Sequence, residues 1–397
     1  MDFREAEDHL LGLELFGMRF GLERMHKLMS ALGLPQRRFA SIHVVGSNGK
    51  SSTVRFIAAI LERHGLRTGS YTSPHLASFR ERIEVGEEPV SEERFAAAVE
   101  RTIDLVEGIT QFEAMTAAAY HELAAREVQV AVIEAGLGGR YDATNVIPSK
   151  VAVLTGVGLE HTRWLGPTIA DIAQEKLAVV RDHATLVVPP DLHADALEVA
   201  NSVASERHAH LVTAPSPGGP FQRRNFTIAY VAAAEFLGRA PEPAAVESAI
   251  RETRIPGRLD VVDEGPLVLH DGAHNPAGAG ALAEALPDVL GDRRPAVVVA
   301  SVLDDKDAAG MLGALLPLFD HAVFTRCANP RALSPATLES LAAKLDGPPS
   351  ETVAEPCAAV ERAREIAGRD GAVVATGSIY LIADLVRGEG RTRASSL

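Results

Sequence analysis

Cysteine is nearly absent from this chain: Cys327 and Cys357 are the two present in 397 residues. Two thiols cannot build a disulfide framework, and no CxxC pair offers a zinc site. They read as reduced thiols of a cytoplasmic protein. Long hydrophobic runs are also missing. No apolar stretch approaches the roughly 18 residues that suggest a membrane span. The opening MDFREAEDHL is acidic and holds no apolar core, so no signal peptide is expected. Positive charge is in deficit as well. A formal net charge of -14 leaves no basic field to attract nucleic acid or an anionic membrane. An anionic small-molecule substrate must therefore be met by a local cluster of Arg, Lys and backbone N–H groups. No internal repeat, low-complexity tract or long heptad pattern is seen, so a monomer is expected.

What is present is ordinary for a soluble globular protein: 46% hydrophobic and 23% charged residues, over a length of about two domains. Short Val- and Ile-rich runs predict strands over 42–46, 128–135, 151–155, 185–188 and 210–213. A second series follows at 267–270, 296–301, 322–325 and 372–376. Amphipathic, Ala-rich stretches at 53–64, 94–107, 116–126, 225–237 and 277–286 predict helices between them. Continuous apolar strands alternating with helices predict two α/β domains with parallel sheets covered on both faces. The boundary is expected near 258–266, beside IPGR at 255–258. APSPGGP at 214–220 is read as a loop within the first domain.

The strongest local signal is HVVGSNGKSS at 43–52, between a strand and a helix. A glycine-rich turn lets backbone N–H groups approach phosphate oxygens without Cβ obstruction. Gly46, Ser47, Asn48 and Gly49 form that turn, and the helix starting near Lys50 adds its positive end. Lys50 can neutralise β/γ-phosphate charge. Either Ser51 or Ser52 can give a hydroxyl to Mg2+. The match to GxxxxGK[ST] is incomplete, because Val44 stands at the first glycine.

Other candidates lie at strand ends. Glu134 closes AVIEAG, where a carboxylate faces the ligand crevice of an α/β sheet and can hold Mg2+. His161 follows another strand. Imidazole is an unusual Mg2+ ligand, so a metal role and a structural role are evenly balanced for it. Asp271 and His274 lie in DGAHNP at 271–276, where Asn275 before Pro276 also reads as a helix cap. Lys176, on a predicted helix, reads by itself as a solvated lysine. Arg80/Arg82 and Arg223/Arg224 offer cations for anions, though such pairs usually lie on the surface.

Taken in order, these segments resemble the folylpolyglutamate synthase/dihydrofolate synthase branch of the Mur ligases. The resemblance runs from about residue 17 to 387. It is carried by FGLERMHKLMSALGLPQ (20–36), IHVVGSNGKSS (42–52), YTSPHLASFRERI (71–83), QFEAMTAAAY (111–120), EAGLGGRYDATN (134–145) and GLEHT (158–162). IPGRLD (255–260), DGAHNP (271–276), DDKD (304–307) and ATGSIYL (375–381) complete the series.

The resemblance implies a P-loop mononucleotide-binding domain of the Mur ligase central type over 1–258. A smaller Rossmann-like α/β domain would span 259–390, with a disordered tail at 391–397. It implies an ATP- and Mg2+-dependent ligase that joins L-glutamate to dihydropteroate, to the γ-carboxylate of folate, or to both. It also implies site roles. Lys50 and its loop would hold ATP phosphates. Ser73, Glu134 and His161 would surround a Mg2+ ion, and Lys176 would become carbamylated. Asn225, Arg258 and Asp271 would contact nucleotide. His274 would lie at a domain interface near ATP and glutamate, where its chemistry also suits a base. Arg80, Arg82, Phe112 and Thr116 would face the pterin substrate. Three departures stand out. GSNGKSS replaces the branch's usual GTNGKGS, Leu-Ala-Val-Val follows Lys176 in place of Ala-Gly-Ile, and the stretch before Gln222 is short. Two alternatives remain: a Mur ligase acting on a muramyl peptide, and a non-enzymatic P-loop switch. The switch leaves the second domain and its Asp271/His274 loop unexplained.

Overall fold

The computed structural model describes residues 1–13, 21–216 and 221–388. Part of the expected loop at 214–220, the start of the 20–36 segment and the expected tail at 391–397 lie outside the described residues. The chain divides into two compact units, one ending at Thr253 and the other beginning at Arg254.

The first unit is built on an eight-stranded sheet: β1 Ala40–Val45, β2 Thr68–Tyr71, β3 Ile83–Val85, β4 Glu88–Pro89, β5 Val130–Glu134, β6 Val151–Leu154, β7 Thr185–Val188 and β8 His210–Thr213. Their spatial order is β4-β3-β2-β5-β1-β6-β7-β8. β1 pairs in parallel with β5 and β6, with Val44 opposite Glu134 and Val45 opposite Leu154. The carboxyl end of β1 is therefore flanked by those of β5 and β6, and the loops leaving these strands emerge together.

The purely parallel sheet expected from the apolar runs is corrected at one edge, where β2, β3 and β4 pair antiparallel. β3 and β4 join through Gly86 and Glu87, both at φ 65. Positive φ at both central positions matches the twist of a tight hairpin. The short β4 and its Pro89 blunt the sheet edge. β2, read TGSY, shows no apolar run because it needs small residues. A Cβ on Gly69 would lie 2.4 Å from Leu123 Cδ2, where helix Gln111–Ala125 packs.

That helix begins earlier than its apolar pattern, at a capping box between Thr110 and Glu113. The expected helix at 94–107 is shorter, Glu92–Glu100, started by the Ser91 hydroxyl accepting from Arg94 N–H. One face of the sheet is filled by Tyr71, Phe95, Tyr120 and Ile133, all 0% exposed. The other holds Val45, Leu154, Leu177 and Leu186.

The second unit carries a six-stranded sheet: β9 Asp260–Glu264, β10 Leu267–His270, β11 Ala296–Ala300, β12 His321–Phe324, β13 Ser350–Thr352 and β14 Ala372–Thr376. The order is β13-β12-β11-β14-β10-β9. Five strands are parallel and β9 is an antiparallel edge. β9 and β13 escape hydrophobic reading because edge strands carry polar residues. Asn275 caps helix Pro276–Leu290, accepting from Gly278 N–H with Pro276 in its first turn, as the sequence predicts.

Candidate active site

The turn after β1 is shaped by its glycines. Gly46 has φ 149 and Gly49 has φ 82. A Cβ on Gly46 would stand 2.0 Å from Thr155 Oγ1, and one on Gly49 would stand 2.5 Å from Asn225 Oδ1. Thr155, just past β6, donates its hydroxyl to the Asn48 carbonyl at 2.6 Å. Ser47 N–H donates to the Gly156 carbonyl at 3.0 Å, and Ser47 Oγ accepts from Gly158 N–H at 3.0 Å. The turn is thus clamped from the loop that follows the next strand. Helix Lys50–Glu62 begins at Gly49 with no side-chain cap and no acidic residue in its first turn. Uncapped N–H groups at a helix start favour an anion.

Lys50 Nζ donates to the Gly46 carbonyl at 3.0 Å, folding the lysine over the turn. Ser51 Oγ donates to Glu134 Oε1 at 3.1 Å, and Ser73 N–H donates to Glu134 Oε2 at 3.2 Å. Glu134 is 2% exposed at the end of β5. Of the two candidate serines, Ser51 reaches this carboxylate, whereas Ser52 is buried at 2% exposure. Among the described residues no three His, Cys, Asp or Glu side chains gather into a metal-holding group. A hard divalent cation here would instead take oxygen donors: the Glu134 carboxylate, the Ser51 hydroxyl and phosphate oxygens. That donor set suits Mg2+, which keeps several ligands from water and phosphate. His161 is exposed at φ 46, at the start of the short helix Thr162–Leu165.

Lys176 corrects the reading of a solvated lysine. It lies in helix Ile169–Leu177 and is 2% exposed. The helix packs its inner face against the sheet, and Lys176 falls on that face. Its Nζ donates to the Gly46 carbonyl at 3.0 Å and to Glu160 Oε1 at 2.8 Å. Burial pulls the Lys176 ammonium below its usual range, with Glu160 working against that pull and Lys50 adding to it. Burial also penalises the Glu160 carboxylate, but Lys176 and Lys50 outweigh this and hold it at about 2. Sequence reading passed over Glu160 and Thr155, and took Arg224 only as one of a pair of surface cations. The only available signal was their place beside β6 and the turn. Arg224 donates to the Thr155 carbonyl at 3.0 Å and pairs with Asp191 at 3.0 Å. Asn225, 5% exposed, presents its amide to Gly49.

The expected pterin-facing residues divide. Arg82 is 0% exposed, which corrects the surface reading of that pair. Its Nε donates to His75 Nδ1 at 2.9 Å and its guanidinium lies 5.2 Å from the Phe79 ring centroid. A guanidinium stays charged when buried if rings and acceptors surround it. Thr116 is also fully buried, with Oγ1 3.2 Å from Tyr71 Oη. Phe112 and Arg80 remain half-buried. Arg80 Nη1 donates to the Val90 carbonyl at 3.4 Å.

In the second unit, Asp271 is 2% exposed and accepts from Leu259 N–H and Ala273 N–H, both at 2.9 Å. Burial raises its carboxyl, and Arg258 opposes that. Gly272 N–H donates to the Gly257 carbonyl at 2.8 Å. The Arg258 guanidinium lies over Gly272, where a Cβ would meet Nη1 at 2.4 Å. The two loops, IPGR and DGAHNP, are therefore one built unit. His274 Nδ1 lies 2.9 Å from the Gly272 carbonyl. A carbonyl only accepts, so Nδ1 carries the proton and Nε2 is the ring's acceptor.

Residues 44–214 match the Mur ligase middle domain, and residues 257–379 match the Mur ligase, glutamate ligase domain. A dihydrofolate synthase/folylpolyglutamate synthase of Mycobacterium tuberculosis is 35% identical, over 84% of this chain and 80% of that relative. The structure of a Mycobacterium tuberculosis folylpolyglutamate synthase complexed with ADP superposes with a TM-score of 0.87 and 32% identity, covering 96% of each chain. A bifunctional folylpolyglutamate synthase/dihydrofolate synthase of Yersinia pestis, complexed with AMPPNP and a manganese ion, gives a TM-score of 0.85 at 27% identity over 97% of each chain.

Proposed function

Because the chain belongs to the dihydrofolate synthase/folylpolyglutamate synthase branch of the Mur ligases, we propose that the turn at 46–52, Glu134 and Lys176 form its centre for activating a carboxylate. The chain is an ATP-dependent ligase that adds L-glutamate to a pterin-linked carboxylate, in folate synthesis and polyglutamylation. The observation that carries the site reading is the convergence of three elements on one turn. Lys50 and Lys176 both donate to the Gly46 carbonyl. Ser51, next to Lys50, donates to Glu134.

A carboxylate resists attack by an amine because its charge repels the lone pair. Transfer of the ATP γ-phosphoryl group to a carboxylate oxygen forms one P–O bond and breaks the β–γ bridge, releasing ADP. The glutamate amine then attacks the carbonyl carbon. A C–N bond forms, phosphate leaves with the C–O electron pair, and the nitrogen sheds a proton. The protein's contribution is positioning and charge stabilisation. The turn's N–H groups and Lys50 hold phosphate oxygens. Glu134 and Ser51 would hold Mg2+, which would supply neutralisation of phosphate charge. His274 Nε2, an acceptor by its tautomer, is read as the base for the amine proton.

Lys176 has two possible states. As an ammonium it holds the Gly46 carbonyl and Glu160. Carbamylation requires a neutral amine, which burial favours and Glu160 opposes. Labelled bicarbonate followed by carbon-13 NMR separates the two.

Among the described residues no helix is long and apolar enough to cross a membrane, and Cys327 and Cys357 form no disulfide. With the absence of a heptad pattern, these support a cytoplasmic monomer. The deciding experiment measures ADP release with dihydropteroate, tetrahydrofolate or a muramyl peptide, each with and without its amino acid. ADP release that needs a pterin acid plus glutamate is expected. Turnover with the muramyl peptide alone, or release independent of any acid, overturns the reading.

A further inference from the structure

A cavity of about 800 Å³ opens in the first unit away from the phosphate turn. Its walls come from residues just before β1, β6 and β7, including Arg37, Lys150 and Ala184. It therefore lies at the amino ends of the central strands, whereas the turn at 46–49 leaves the carboxyl end of β1.

The lining is cationic in a chain of net charge -14. Arg37, Lys150 and Arg181 all face it. Arg181 is fixed in place: Nε donates to the Ile147 carbonyl at 3.0 Å and Nη2 to the Asn145 carbonyl at 2.8 Å. These hydrogen-bond partners are neutral oxygens. Neither Arg37 nor Lys150 has an acidic partner among the described residues. Asp182 is the sole acid in the lining, and it pairs with Arg207 at 3.2 Å. Three gathered cations repel one another unless an anion joins them.

A second, independent observation comes from Ser149. It lines the same cavity, is 3% exposed, and its Oγ has no hydrogen-bond partner among the described residues. A buried hydroxyl without a partner costs free energy that a bound acceptor recovers. Two guanidinium groups, an ammonium and a hydroxyl supply donors, against one carboxylate, Asp182, that is paired with Arg207. A phosphoryl group carries more charge and more acceptor oxygens than a carboxylate, which suits a lining of several cations and a hydroxyl. The volume exceeds what one orthophosphate fills and falls in the range of small-molecule sites.

We propose that this cavity is a second anion site, which binds a small phosphorylated molecule through Arg37, Lys150, Arg181 and Ser149. The test is calorimetric titration of the full chain with inorganic pyrophosphate at pH 7.5 and fixed ionic strength. Wild type and Lys50→Ala are expected to bind alike at this site, since Lys50 belongs to the other end of the sheet. Binding should weaken at least about tenfold in the Arg37→Ala/Lys150→Ala double variant and about threefold in Ser149→Ala. Both cations are exposed, so the double variant should keep its unfolding temperature without ligand. Citrate, a carboxylate polyanion, should bind more weakly than pyrophosphate. The proposal fails if wild type does not bind pyrophosphate. It fails equally if the double variant binds as wild type does, if Lys50→Ala abolishes all binding, or if citrate binds as well.

Discussion

The Lys176 ammonium and the Gly46 carbonyl are joined by a hydrogen bond of 3.0 Å across 130 residues of chain. Through it, a buried helix lysine helps set the conformation of the turn that precedes Lys50. Glu160, at 2.8 Å, holds the same ammonium from a third segment. The turn is thus held by contacts from three segments of the chain, the kind of rigid support that charge stabilisation requires.

Lys50→Ala should lower acid-dependent ADP formation by about 100-fold or more. Lys50 is half-buried and bonded only within its own turn, so circular dichroism and unfolding temperature should stay near wild type. Normal ADP release by the folded variant would contradict the role.

Glu134→Gln should cost about 100-fold in kcat and raise the Mg2+ concentration needed for half-maximal rate. The amide keeps the shape that meets Ser51 and Ser73 but loses the charge. Removal of divalent metal with a chelator should stop wild-type turnover, and added Mg2+ should restore it. An unchanged metal dependence in the variant counts against Glu134 as a metal-side carboxylate.

Thr155→Val removes the hydroxyl that Asn48 accepts at 2.6 Å while keeping the side chain's bulk. One lost hydrogen bond costs about 1 kcal/mol of stability. The larger effect should be on nucleotide: KM for ATP should rise about fivefold while KM for glutamate holds. Equal changes in both would point to general loosening of the fold.

His43 gives a pH dependence. It is 0% exposed on β1, with Nε2 2.8 Å from Thr144 Oγ1. Burial, with Arg181 adding to it, lowers its imidazole to about 3. Between its usual range and that value, the unfolded chain binds a proton that the folded chain does not. Stability is therefore complete above about pH 6.5 and falls as pH drops towards 3, by up to ~1.4 kcal/mol per unit. Denaturant titrations of His43→Asn should show a shallower slope across that window. An identical slope would mean that His43 is protonated in the native state.

Much of the frame was legible in the residues. The strands at 185–188, 267–270 and 372–376 were placed without error because a largely buried strand must be apolar throughout, and the exposed edge strand at 210–213 was placed equally well from its short Leu-Val run. The Asn275–Pro276 cap was legible for the same local reason. The strands β2, β3 and β4 on one side of the first sheet, and the edge strands β9 and β13 of the second, were not. Their pairing is decided by neighbours distant in sequence, and their residues are small or polar.

Two α/β units, the turn around Gly46 and Gly49, and a carboxylate ending a buried strand at Glu134 were readable from the residues alone. These follow from periodicity and from what each residue type can do alone. Only the tertiary structure decided that Lys176 is buried on Gly46, that Glu160 holds it, and that Arg82 lies sealed against His75 and Phe79. A charge's environment is the sum of what other segments bring to it, and periodicity along one segment carries no record of that.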